Sequence, residues 1–182
     1  MKKENIKKHL KAYSIYGKRN STINHAFASA IAPFDIYSEE IINEALSFLG
    51  QTTNNSLKCI FCNTDATGWD HLTGLVKDKQ LRGYGHQIGN LVPCCGTCNS
   101  KKGKKEFTIF INEYDKIENK ERLISLLTNY QNKFAKKIDI DNLKIQNKDL
   151  YEEYEKTKEM IFDLMKKADI LANDLRKNIV HK

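Results

Sequence analysis

Four cysteines of this chain fall into two C-x-x-C pairs, Cys59 with Cys62 and Cys95 with Cys98. Each such pair makes a tight knuckle that presents two thiolates to one ion, and two knuckles complete the closed tetrahedral S4 shell of structural zinc. A redox C-x-x-C needs only one pair, and buried free cysteines would not repeat the spacing. The fifth cysteine, Cys94, extends the apolar run Leu91, Val92, Pro93 and reads as a small core residue, with an exchange for Cys95 as ligand left open. Between the two pairs stand Asp70 and His71. A carboxylate is a ligand for a hard cation, and an imidazole with an unperturbed pKa of about 6.5 accepts a proton near neutrality. Together they suit metal-assisted hydrolysis. On an extended segment from Trp69 to Leu72 the two would point to opposite sides, so different roles are expected of them.

Elements that could position these groups are readable on both sides. Seven of the nine glycines lie between Gly68 and Gly103, which marks the middle as loop-rich and the flanks as helical. Ser38 can cap a helix carrying Ile41, Ile42, Ala45, Leu46 and Leu49 at helical spacing, with Gly50 as its stop. The segment Ala26 to Phe34 reads as buried helix, and Gln51 to Ser56 as a linker into the first knuckle. Near the end, Leu150, Tyr154, Thr157, Ile161, Leu164, Ala168, Leu171 and Leu175 alternate steps of four and three, a seam that needs a helical partner. The preferred partner is the preceding stripe Tyr114, Ile117, Ile124, Leu127 and Phe134, forming an intramolecular hairpin, and the other is a second copy of the chain. The expected division is a helical segment over 1–56, a central domain over 57–112 and a helical segment over 113–182, an α+β fold.

The chain of 182 residues carries 30 Lys and Arg against 23 Asp and Glu, a net charge of +7. That excess is concentrated: residues 1–19 hold seven bases and one acid, and residues 71–105 hold the same. Two basic patches favour polyanions, since neutralising phosphates releases condensed counterions; the alternative is a solvated lysine-rich surface. No apolar run approaches the roughly 18 residues of a membrane span, and the basic N-terminus has no apolar core behind it, so a cytoplasmic protein is expected.

The stretches GWDHLTGL (Gly68 to Leu75) and GHQIGNLVPCCGTCNSKKG (Gly85 to Gly103), bracketed by the cysteine pairs, resemble the HNH endonucleases, or ββα-metal fingers, in their four-cysteine form. The match covers about 45 residues, Cys59 to Gly103, and not the flanks. It implies strands near 68–73 and 89–93, a helix after Cys95 and structural Zn2+ on the four cysteines. It also implies a catalytic Mg2+, replaceable by Mn2+, on Asp70 and Asn99, with His71 as general base on the attacking water. Asn90 would complete the catalytic group by tying down the intervening loop and orienting the histidine. His86, in the glycine-rich loop, is read as a turn residue, with a phosphate contact or an accessory ligand as its alternatives. Lys101, Lys102, Lys104 and Lys105 would contact DNA phosphates, Lys102 foremost. The reaction implied is hydrolysis of double-stranded DNA to 5′-phosphate and 3′-hydroxyl ends. A homodimeric type II restriction enzyme with a companion methyltransferase is the leading role. The alternatives are a phage or mobile-element nicking nuclease and a non-catalytic zinc module that binds nucleic acid.

Overall fold

A computed structural model describes residues 3–52, 56–78 and 80–180 of the chain. Thr53 to Asn55 of the expected linker lie outside the described residues. The fold is α+β, with two small two-stranded sheets and seven α-helices among the described residues. No described helix is long and apolar enough to cross a membrane. The chain divides into two compact units: Ala28–Leu143, and Met1–Phe27 with Lys144–Lys182.

At the centre of the first unit, β1 (Gly68–His71) pairs antiparallel with β4 (Leu91–Cys94), matching Asp70 with Val92 and His71 with Leu91. Between them lies a minimal hairpin, β2 (Val76–Lys77) with β3 (Gln80–Leu81), and a 3-10 turn over Ile88–Asn90. The strands therefore end earlier and begin later than the expected 68–73 and 89–93. Beyond His71 the Leu72 amide still bonds the Asn90 carbonyl at 2.9 Å, and the Asn90 side chain then takes the Thr73 amide at 2.8 Å. After β4 comes α3 (Gly96–Lys102), where Cys95 occupies the N-cap with its sulfur 3.4 Å from the Cys98 amide; Gly103, at φ 52°, closes the helix. Helix α2 (Glu39–Phe48) starts on Ser38, whose hydroxyl takes the Ile41 amide. It stops on Gly50 at φ 70°, where the amides of Gly50 and Gln51 return to the carbonyls of Ser47 and Leu46.

Residues of the expected central division, 57–112, share one core with residues on either side of it. Leu72 and Val92 are fully buried because Ala45 and Leu49 from the α2 segment, Phe107, Phe110 and Ile111 of α4 (Phe107–Glu113), and Leu127 and Tyr130 of α5 (Lys120–Phe134) close one core over them. A four-residue strand pair buries too little by itself. The same packing overturns the expected hairpin. Leu127 and Phe134 serve the core around β1 and β4, and Tyr114 and Ile117 precede α5 altogether.

In the second unit the partner of α7 (Lys148–Val180) is instead α1 (Ile15–Ala30), whose residues as far as Phe27 belong here. Phe162 meets Tyr16 edge to face, Tyr154 packs on Phe27, and Asp169 accepts the amides of Ile15 and Tyr16 and the Ser14 hydroxyl, capping α1 from across the unit. Of the expected seam, Tyr154, Ile161 and Ala168 are shielded, and Leu150, Leu164, Leu171 and Leu175 are exposed. The Ala26 to Phe34 segment is helical only to Ala30; Ala28 and Ala32 are buried, and past Pro33 the Phe34 ring is exposed.

Candidate functional site

The knuckles meet where β4 turns into α3. The sulfurs of Cys59, Cys62, Cys95 and Cys98 lie within 4.8 Å of one another, and Cys62 Sγ is 3.7 Å from Cys95 Sγ. A tetrahedral shell at about 2.3 Å from zinc sets its sulfurs about 3.8 Å apart, so the four can hold an ion such as Zn2+ with little rearrangement. Asn63, in the left-handed region at φ 58°, turns the first knuckle, and its amide bonds the Cys59 carbonyl. The Cys94 thiol and three backbone amides draw the Cys59 pKa down to about 4, and the Cys98 amide lowers that of Cys95. Burial pushes the Cys98 thiol the other way. Cys94 is buried outside the quartet, with its own thiol pushed up chiefly by its bond to Cys59.

On β1 the alternation of the strand separates the two chemical groups. Asp70 points inward and is 8% exposed, whereas His71 is half-buried on the same face as Trp69. Lys102 of α3, 2% exposed, sends its ammonium between them: Nζ donates to the His71 carbonyl at 2.7 Å and lies 3.1 Å from Asp70 Oδ2. That carboxylate oxygen is in ion-pair range but has no hydrogen-bond donor, a buried valence that a hard cation can fill. The expected Lys102–phosphate contact is therefore corrected. An ammonium committed to two groups inside the protein does not reach a phosphate outside it. Lys101, Lys104 and Lys105 are exposed; Lys101 lies over the Tyr114 ring, and Lys105 pairs with Glu113. Asn99 lies three residues before Lys102 on α3 with its side chain exposed, and its carbonyl accepts the Gly103 amide at 2.9 Å.

Asn90 is wholly buried with every valence used. Oδ1 accepts from the Thr73 amide and from Gln131 Nε2, and Nδ2 donates to the carbonyls of Thr73 and Gly85. It ties together both ends of the loop after β1 and has nothing left for a substrate. Gln131 on α5, which sequence reasoning missed, braces it and also reaches the Thr73 hydroxyl at 3.2 Å. No local pattern marks Gln131, because its partners lie at least 41 residues away. His86 is not the idle turn residue expected: its Nδ1 is 3.2 Å from His71 Nε2. Burial first, and the neighbouring His86 second, hold the His71 pKa below its ordinary value, against the pull of Asp70, and so favour the neutral ring that a general base requires.

Comparison with protein-family models, with curated proteins and with solved structures gives no match for this chain. The functional reading therefore rests on these residues and their arrangement.

Proposed function

We propose that the protein is a metal-dependent DNA endonuclease that hydrolyses phosphodiester bonds, with a site of the HNH kind. The observation that carries this is the pairing on β1 of a half-buried imidazole, its pKa held down by burial, with a buried carboxylate whose Oδ2 is ion-paired to Lys102 yet accepts no hydrogen bond. Asp70 and Asn99 would hold a divalent cation such as Mg2+, whose contribution is to offset the charge growing on the leaving oxygen. His71 takes a proton from the attacking water while the water oxygen bonds to phosphorus and the P–O3′ bond breaks, the 3′ oxygen leaving to be protonated by solvent. Asn90 fixes the loop, Zn2+ on the four cysteines fixes the turn from β4 into α3, and the exposed Lys101, Lys104 and Lys105 attract the backbone. A homodimeric restriction enzyme with a companion methyltransferase is the role this reading favours over a nicking nuclease of a phage or mobile element.

One observation favours a second reading, a zinc module that binds nucleic acid without cutting it: the Lys102 ammonium beside Asp70 would suffice as a structural ion pair. Incubation of the zinc-loaded protein with plasmid and Mg2+, followed by sequencing of the ends, separates the two. Cleavage by the wild type and none by His71→Ala, at equal DNA affinity, supports the nuclease. Binding with no cleavage by either establishes the module.

A further inference from the structure

Within the first unit, His86 is placed by far more than a turn would require. Its amide donates to the Pro33 carbonyl at 2.7 Å, and its own carbonyl faces the Asp35 amide at 3.5 Å, so Phe34 and His86 form a parallel bridge. Asp35 then accepts the Ile88 amide through Oδ2 at 2.7 Å. On the other side Asn90 Nδ2 donates to the Gly85 carbonyl at 2.8 Å, and Gln87 spans to both the amide and the carbonyl of Lys136. Gly85 itself has φ 57°, and a Cβ there would lie 2.2 Å from the Pro33 oxygen. The Pro33–Asp35 strap can therefore close on the loop only if residue 85 is glycine. What this construction delivers is one imidazole against another, Nδ1 of His86 to Nε2 of His71, with the rings inclined at 66° and their centroids 5.2 Å apart.

From this geometry we infer that His86 is the positioning residue of the general base: it fixes the His71 ring and selects the tautomer in which His71 can accept a proton. The inference rests on the nuclease reading of the same site. Two neutral imidazoles at hydrogen-bond distance share one N–H between the facing nitrogens. If His86 donated, His71 would carry its hydrogen on Nδ1 and have no open lone pair. With His71 Nε2–H donating to His86 Nδ1, the lone pair on His71 Nδ1 is free. A proton leaving water then settles on His71 Nδ1, the hydroxide oxygen bonds to phosphorus as the P–O3′ bond breaks, the departing 3′ oxygen takes a proton from solvent, and the bond from the imidazolium to His86 becomes charge-assisted. His86 touches neither substrate nor metal in this scheme. Its Nε2 keeps its hydrogen throughout.

Two measurements test it. Ring-nitrogen NMR of histidine-labelled, zinc-loaded wild-type protein, which requires no variant to fold, should show neutral His71 protonated on Nε2 and His86 Nδ1 accepting. In cleavage assays His86→Ala should lower kcat by about 10- to 100-fold with KM near wild type, the scale of lost orienting partners. His86→Asn, which retains an acceptor at the δ position, should recover to within a few-fold. An active wild type with His71 protonated on Nδ1 would overturn the inference. So would His86→Ala at the wild-type kcat, or an Asn variant as impaired as Ala with zinc content and Tm unchanged. A wild type that binds DNA and cuts none is a different result, the failure of the nuclease reading itself.

Discussion

Replacing Lys102 by Met keeps the aliphatic stem and removes only the ammonium. Its position makes the consequence calculable: it is 2% exposed, 3.1 Å from Asp70 Oδ2 and 2.7 Å from the His71 carbonyl. Breaking a buried pair by deleting one partner costs about 3–5 kcal/mol, because the other charge stays buried and uncompensated. At about 2–4 °C per kcal/mol for a chain of this size, Lys102→Met should lower Tm by about 6–20 °C. Thermal unfolding of zinc-loaded protein without added Mg2+ reads this. Adding Asp70→Asn should restore part of the loss, by about 0.5–3 kcal/mol, since the two side chains are in contact. Salt titration of DNA binding supplies the opposite signature. Lys101→Ala or Lys104→Ala should leave Tm nearly unchanged and reduce the slope of log K against log salt by about 1, the mark of one lost phosphate contact. Lys102→Met should leave the slope alone. A Lys102→Met protein as stable as wild type, with its slope reduced by about 1, would refute the burial argument and return Lys102 to the DNA.

Metal content should survive Cys94→Ala and be lost in Cys95→Ala, as measured by zinc analysis of the purified variants; the reverse would exchange the two ligands. Cleavage should fall as pH drops through the His71 pKa, and because burial lowers that pKa the acidic limb should lie below about 6.5, as a pH profile of single-turnover rates would show. Asp169→Asn should lower Tm at neutral pH. That difference should vanish in strong acid, because the α1 cap depresses the Asp169 pKa, and its stabilisation is present above the ordinary carboxylate range and lost as pH falls through the lowered value.

Local chemistry was the part of this site most legible in the sequence. Two cysteine pairs at fixed spacing name their geometry before any fold is known, and Ser38 and Gly50 mark the ends of α2 through caps that involve only near neighbours. Lys102 was misread because its segment, SKKGKK, looks uniformly solvated. A signal was present nonetheless: Lys102 lies four residues after Cys98, so on a helix it shares the face of a buried ligand. His86 offered no comparable signal. Its role depends on the strap at Pro33–Asp35, more than 50 residues earlier in the chain, meeting a loop that only a glycine at 85 allows to approach. The apolar stripe on α5 showed that a face would be covered, but periodicity is silent on what covers it. Leu127 turned to the core around β1 and β4 and left α7 to α1.

That exchange of partners bears on assembly. On the nuclease reading, one site with one general base would cut one strand at a time, so coordinated cleavage of a palindrome would call for two copies related by a two-fold axis. With α1 covering one side of α7, the side chains of Met160, Leu164, Leu171 and Leu175 remain exposed along a helix of 33 residues, about 50 Å long. Burying these four on each of two copies, at about 1.5 kcal/mol apiece, yields about 12 kcal/mol. Association costs about 4–15 kcal/mol in lost freedom, so such a contact would be weak alone and, on the nuclease reading, would be completed where both copies share one duplex. The expected outcome is a monomer in sedimentation at micromolar concentration and two chains per cognate duplex, with Leu164→Glu plus Leu171→Glu reducing the complex to one chain that only nicks. Two chains per duplex and full double-strand cleavage by that double variant would move the interface off α7. One wild-type chain per duplex, with a single strand cut, would make the enzyme a nicking nuclease.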